Sequence, residues 1–275
     1  MKKNKFSLTN KNVIITGGAG LLAIQHIYAV LENDGNVFLI DNNKNKLKQR
    51  FSELCKIYDK KRVNLFFGDI TKESFVKKVN KKIQLKKKKI HILINNAAID
   101  YKVDAKHKSL INKTQLENFD VNIWKKDLDV GLLGSLICTK IFGTEMAKNK
   151  YGVILNIASD LSFISPDNRI YNKKKSPIKI VKPVSYSVVK HGILGLTRYT
   201  ATYWADKNVR CNAIAPGGIW NNQPKNFTKR VSKLIPMGRL SYQNEYIESI
   251  LYLISDASSY TNGEVLKVDG GRTVL

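Results

Sequence analysis

The sequence predicts an α/β chain built on a doubly wound parallel sheet of about seven strands, with helices on both faces as three layers. Three observations predict it. Seven short runs are almost continuously apolar, stretches with helical spacing separate them, and the first run ends in a glycine-rich turn. Strands buried on both faces read as unbroken apolar runs, the pattern of a parallel sheet sandwiched between helices. The seven are Val13–Ile15, Val37–Ile40, Val63–Phe67, Ile90–Ile94, Gly152–Ile157, Val209–Ile214 and Glu264–Val268. Ligands of such sheets bind beyond the carboxyl ends of the strands, so chemistry is sought there.

The first strand runs into Thr16-Gly17-Gly18-Ala19-Gly20-Leu21-Leu22-Ala23 and then a helix ending near Asn33-Asp34-Gly35. Glycines permit a tight turn and let backbone N–H groups approach a pyrophosphate at the helix N-terminus. Asp41 closes the second strand, where a carboxylate accepts hydrogen bonds from an adenosine ribose and repels a 2′-phosphate. That favours NAD over NADP, although Lys44 and Lys46 lie nearby.

The stretch Ser185-Tyr186-Ser187-Val188-Val189-Lys190 reads as a helix opening on a capping serine and followed by an apolar repeat at Val189, Ile193, Leu194 and Leu196. On a helix Tyr186 and Lys190 share a face, and an ammonium beside a phenol stabilises its phenolate, as a general acid/base requires. The same spacing recurs at Tyr171/Lys175 and Tyr203/Lys207. Tyr171 leads a charged run ending in Pro177, and Tyr203 stands where a helix exits into solvent, so neither matches Tyr186.

With 275 residues and 43% hydrophobic content the chain suffices for a sizeable core. Lys+Arg 47 against Asp+Glu 22 gives +25, which raises a nucleic-acid partner. The excess is mostly scattered Lys, not interleaved with aromatics, and nucleic acid is not expected. Cys55, Cys138 and Cys211 are far apart and the four His are unclustered, which suits a reduced, cytoplasmic interior without a metal site. The basic opening precedes no sustained apolar stretch, so neither a signal peptide nor a membrane span is expected.

From Val13 to Arg272 the sequence resembles the single-domain short-chain dehydrogenase/reductase family. Besides the glycine turn, the resemblance rests on Gly68-Asp69-Ile70-Thr71, Asn95-Asn96-Ala97-Ala98, Asn156-Ile157-Ala158-Ser159, Tyr186 to Lys190, Asn212 to Gly218, and the terminal Ser255-Asp256-Ala257-Ser258 and Val268-Asp269-Gly270-Gly271. It implies a Rossmann-type fold over 1–275, NAD(P)-dependent hydride exchange with a secondary alcohol or ketone, and a homodimer or homotetramer. It implies that Gly17, Gly20, Leu21, Leu22 and Asp41 hold the adenosine diphosphate end of the cofactor, with Asp69 and Ile70 bordering the adenine. It also implies that Asn95 and Ala97 line the cofactor cleft, that Pro216 and Gly217 flank the nicotinamide with Ile219 also binding the cofactor, and that Ser159, Tyr186 and Lys190 are catalytic, the last two also touching the cofactor.

The chain departs from the family pattern at three points. Gly17, Gly20 and Ala23 fall at three-residue intervals, closer to the family's nucleotide-sugar-modifying branch. Gly131 stands where an asparagine commonly holds a relay water. Ser159 and Tyr186 are 27 positions apart, about twice the usual interval, which implies an insertion near 165–183 beside another near 100–112 and a substrate loop near 218–235. The long interval and Gly131 resemble a bacterial surface-polysaccharide and flagellin-glycan branch. Gln223, Lys225, Lys229 and Arg230 of the substrate loop are candidates to meet substrate, and the basic residues of these loops, Lys182 included, suit a sugar phosphate or nucleotide-linked sugar. The alternatives are a non-catalytic dinucleotide-sensing or nucleic-acid-binding protein and a nucleotide-sugar epimerase or dehydratase.

Overall fold

The computed structural model describes residues 4–99, 113–171 and 180–275. Seven strands form one fully parallel sheet: β1 (Asn12–Thr16), β2 (Asn36–Asp41), β3 (Val63–Phe67), β4 (Ile92–Asn95), β5 (Gly152–Ile157), β6 (Val209–Pro216) and β7 (Val265–Val268). Their order is β3-β2-β1-β4-β5-β6-β7. The expected strands are all present, and β4 begins two residues later than its apolar run suggests. The order reverses between β1 and β4, so connections leave to opposite sides and a crevice opens at their carboxyl ends.

The strands alternate their side chains between two helix layers. Val13 and Ile15 of β1 enter a cluster with Ile27 of α1 (Ala23–Leu31), Leu47 and Leu54 of α2 (Lys44–Leu54), and Ile250 and Leu253 near the chain's end. Ile14 faces the other way, toward Val76, Val79 and Ile83 of α3 (Glu73–Leu85) and Ile137, Ile141 and Phe142 of α4 (Val121–Lys148). Helix α5 (Val184–Tyr203) shares that second layer, α6 (Lys225–Ser232) follows β6, and α7 (Ile247–Ile254) carries the Ile250 and Leu253 just named. Cys138 and Cys211 are buried free thiols, and burial pushes the Cys138 thiol up to about 12, so it packs as a small apolar group. Helix α4 is long and apolar enough to cross a membrane, but over half of its most apolar window is buried inside the protein.

Two local features differ from expectation. Ser185 does not cap α5. The helix begins one residue earlier after Pro183, with no side-chain cap, and the Ser185 hydroxyl instead donates to the buried Asp127 carboxylate of α4. Proline at that position presets the entry dihedral, so the serine is released to tie two helices together. Helix α4 also contains a single π turn over Asp129–Leu133, centred on Gly131. A β-carbon there would lie 2.4 Å from Cγ1 of Val189, so α5 occupies the space that an asparagine at 131 would need.

Candidate active site

The crevice holds a cleft of about 1180 Å³, lined from the glycine turn at one end to Arg230 at the other. Gly17, with φ +64°, adopts the left-handed region, and a β-carbon on it would come 2.9 Å from the Ala97 Cα. No other residue fits that turn without moving β4's exit, so the backbone is exposed to the cleft. Gly20, Leu21 and Leu22 continue the wall into α1.

Asp41 pins this turn from the side: one carboxylate oxygen accepts the Ala19 N–H at 3.0 Å and the other the Asn43 N–H at 2.8 Å. Asp41, Asp69, Ile70 and Ala97 all line the cleft, as do Pro216, Gly217 and Ile219 beyond β6. Lys44 and Lys46 do not; both are exposed on α2.

Asn95 is the exception. It is 3% exposed and lies beneath the cleft wall, donating to Asn156 Oδ1 at 2.8 Å and Thr139 Oγ1 at 3.0 Å. Asn156 passes the chain on to Thr197 Oγ1 at 2.9 Å, so this polar ladder locks α4 and α5 to the sheet. The next residue, Asn96, takes the cleft position and donates to the carbonyls of Thr16 and Gly17. Strand alternation explains the swap, because Asn95 is the last residue in the ladder and faces the helix layer.

Ser159, Tyr186 and Lys190 line the same cleft. Ser159 follows β5, is 5% exposed, and its hydroxyl donates to Asp160 Oδ1 at 2.9 Å. Ser162 Oγ accepts the Ser159 N–H and donates to the Lys190 carbonyl at 2.8 Å, coupling the two segments. Lys190 is buried; its ammonium donates to the Ile157 carbonyl at 2.7 Å and lies 5.9 Å from the centre of the Tyr186 ring. Lys182 sits closer still, 3.9 Å over that ring.

A model of the family described as enoyl-(acyl carrier protein) reductase matches residues 25–273. The chain belongs to the short-chain dehydrogenase/reductase family. The chain is 30% identical over 274 residues to the NAD-dependent glycerol dehydrogenase of Listeria innocua serovar 6a, covering 98% of this chain and 96% of that one. It is 31% identical over 276 residues to the 2-dehydro-3-deoxy-D-gluconate 5-dehydrogenase of Bacillus subtilis, covering 97% and 96%. Among solved structures, a short-chain dehydrogenase from Leptospira borgpetersenii with bound NAD+ superposes with a TM-score of 0.80 at 26% identity, covering 99% of this chain and 97% of that one. A gluconate 5-dehydrogenase from Burkholderia cenocepacia in complex with NADP and tartrate shares the fold, with a TM-score of 0.80 at 22% identity and 98% of both chains covered. This short-chain dehydrogenase/reductase is an NAD(P)-dependent oxidoreductase acting on CH–OH groups.

Some of the site was not legible in the sequence. Asp160 and Arg272 line the cleft as a buried ion pair, 2.6 Å between Nη1 and Oδ2, with side chains 5% and 8% exposed. Their adjacency to Ser159 and to the terminal Gly270-Gly271 turn was the available signal. Of the loop residues, Gln223 and Arg230 line the cleft while Lys225 and Lys229 do not. Tyr171 lines it too, but packs against Phe227 in a tilted ring contact with centres 5.4 Å apart. The expected insertion at 100–112 lies outside the described residues, as does 172–179 of the one at 165–183. Among the described residues no group of His, Cys, Asp and Glu could hold a metal ion.

Proposed function

We propose that this oxidoreductase prefers NAD and exchanges a hydride with a secondary alcohol or ketone on a polar, anionic molecule such as a sugar phosphate or nucleotide-linked sugar. The observation that carries the reading is that Tyr186, Ser159 and Lys190 meet in the cleft that also holds the Gly17 turn. The nicotinamide cofactor supplies the hydride acceptor or donor. In oxidation Tyr186 acts as the phenolate and becomes the phenol by taking the hydroxyl proton, and the cations at its ring stabilise that phenolate before the transfer. Ser159 carries one hydroxyl proton, which rests on Asp160 Oδ1, and it donates to the substrate oxygen by turning that proton into the cleft, a contact worth about 3 kcal/mol. Lys190, fixed on the Ile157 carbonyl beside the Tyr186 ring, is placed to hold the cofactor ribose with its ammonium.

The preference for NAD is supported by Asp41 on the cleft wall and by the absence of cleft-lining cations at that end among the described residues. The glycerol and 2-dehydro-3-deoxy-D-gluconate dehydrogenase relatives support a hydroxylated substrate. Homo-oligomerisation and a cytoplasmic setting belong to the same reading. The test is NADH formation across sugar phosphates, nucleotide sugars and simple secondary alcohols, with NADP in parallel. Tyr186→Phe should cut turnover by about 10²–10⁴-fold with NADH binding unchanged. Undiminished turnover in that variant would remove Tyr186 from the mechanism, and the absence of any alcohol-dependent NADH would return the non-catalytic alternative.

A further inference from the structure

We propose that Arg230 and Lys182 form an anion-binding subsite at the substrate end of the cleft, taking the carboxylate or phosphate group of a hydroxylated substrate. The proposal rests on the hydride-transfer reading above and gives its anionic substrate a pair of residues.

Charge balance points there first. Among the described residues, two carboxylates line this end of the cleft, Asp160 and Asp167. Both are already engaged: Asp160 by Arg272, and Asp167 by two guanidinium bonds from Arg169 at 2.9 and 2.8 Å. Arg230 and Lys126, which also line it, form no ion pair with any described carboxylate. Asp41 and Asp69 lie at the other end, beyond β2 and β3. The described residues therefore give the substrate end a net positive charge inside a concave wall, where a bound anion gains more than it would in open solvent.

The geometry is preorganised. Arg230, half-buried on α6, donates its Nε–H to the Ile170 carbonyl at 2.6 Å. That bond uses the inner donor and fixes the plane of the guanidinium, leaving the terminal amino groups as a fork for a planar or tetrahedral oxyanion. Lys182 is tied to the same short turn, Asn168–Ile170, because its backbone N–H donates to Asn168 Oδ1 at 3.2 Å. One turn thus anchors a cation on each side. The turn is itself fastened to α6 by the cluster of Ile170, Val231, Ile235 and Leu240 and by the Tyr171–Phe227 contact. With its ammonium over the Tyr186 ring, Lys182 sets the subsite next to the proposed proton-transfer group, so an anion bridging both cations presents a neighbouring carbinol to Ser159 and Tyr186.

The test is calorimetric titration of D-gluconate, D-glucose 6-phosphate and neutral D-glucitol into the NADH-saturated protein, in which a hydroxyl carbon meets no hydride acceptor and the heat reads binding. At least one anion should bind about tenfold or more tightly than D-glucitol. Arg230→Leu should erase that preference and Lys182→Gln weaken it, with NAD affinity within about twofold of wild type as the check that the fold and cofactor site persist. Equal binding of all three probes, no binding of either anion at millimolar concentration, or full preference in both variants would overturn the subsite. Each of those results leaves the hydride-transfer reading to be judged separately by NADH formation and Tyr186→Phe.

Discussion

Arg272 closes a buried ion pair on Asp160, and that carboxylate's second oxygen accepts the hydroxyl of Ser159. The arginine is aimed by a turn in which Asp269 accepts the N–H groups of Gly271 and Thr273, with Gly270 and Gly271 both at positive φ. The segment after β7 therefore orients the proposed oxyanion donor beyond β5.

Removing one partner of such a pair strands the other. Arg272→Leu should cost roughly 3–5 kcal/mol, because Asp160 would remain buried and uncompensated. Asp160→Asn/Arg272→Leu should recover a large part of that loss, since a neutral amide has no buried charge to balance. Denaturant unfolding of the two variants checks this, and equal losses in both would show that the pairing is not what the arginine contributes.

At position 131 the obstacle is steric. Gly131→Asn drives a side chain into Val189 Cγ1, so it should destabilise the protein by about 1–3 kcal/mol instead of improving a proton relay. In the Val189→Ala background the same substitution should cost less, because the colliding methyl groups are gone. A double-mutant cycle on unfolding free energies reads the coupling directly. Additive losses would place the obstacle elsewhere in the π turn.

The sheet and the cleft were legible because they follow from strand-period burial and from residues at strand ends: Gly17, Asp41, Ser159 and Pro216 each stand where a parallel strand stops. What escaped depends on side-chain direction or on distant partners. Asn95 and Asn96 are neighbours in sequence and differ only in the face to which alternation sends them. The pairing of Asp160 with Arg272 spans 112 positions, which no local pattern encodes. Ser185 had the composition of a cap, but Pro183 sets the helix start and Asp127 of another helix claims the hydroxyl. The surface-polysaccharide branch still rests on the Ser159–Tyr186 interval and Gly131 alone.

Cofactor choice turns on Asp41. Asp41→Asn keeps an acceptor for the glycine turn but removes the charge that would repel a 2′-phosphate. NAD affinity should fall by about tenfold through weaker ribose hydrogen bonds, and the NADP-to-NAD preference should rise by at least as much. Fluorescence titration with NADH and NADPH measures both. An unchanged ratio would mean that Asp41 serves the turn and not the ribose.

The acid side of the stability profile should be shaped by His26. It is 2% exposed, and burial holds its pKa down at about 4 against an ordinary 6.5, with the Asn96 hydrogen bond opposing in part. Asn96 gives its amide N–H groups to the Thr16 and Gly17 carbonyls, so its oxygen faces the imidazole and His26 Nε2 is the donor, at 3.0 Å. Between pH 6.5 and 4 the unfolded chain binds a proton at this residue that the folded chain refuses, so stability rises with pH through that window and falls as the solution is acidified. One group with this shift loses about 2 kcal/mol from pH 6.5 to pH 5. His91 acts in the same direction, held down to about 4 by burial and then by Lys11 and Lys89, while accepting the Asn12 N–H on Nδ1. Its partial exposure makes its share smaller. Glu245, held down at about 2 by Arg239, loses its stabilisation only as pH falls below the ordinary carboxylate range, so the interval from pH 7 to 5 isolates the histidines. His26→Gln retains a donor toward Asn96 and cannot titrate. Urea unfolding at pH 7 and pH 5 should therefore show a smaller acid loss in the variant by about 2 kcal/mol, and identical losses would mean that His26 is protonated in the folded protein at pH 5.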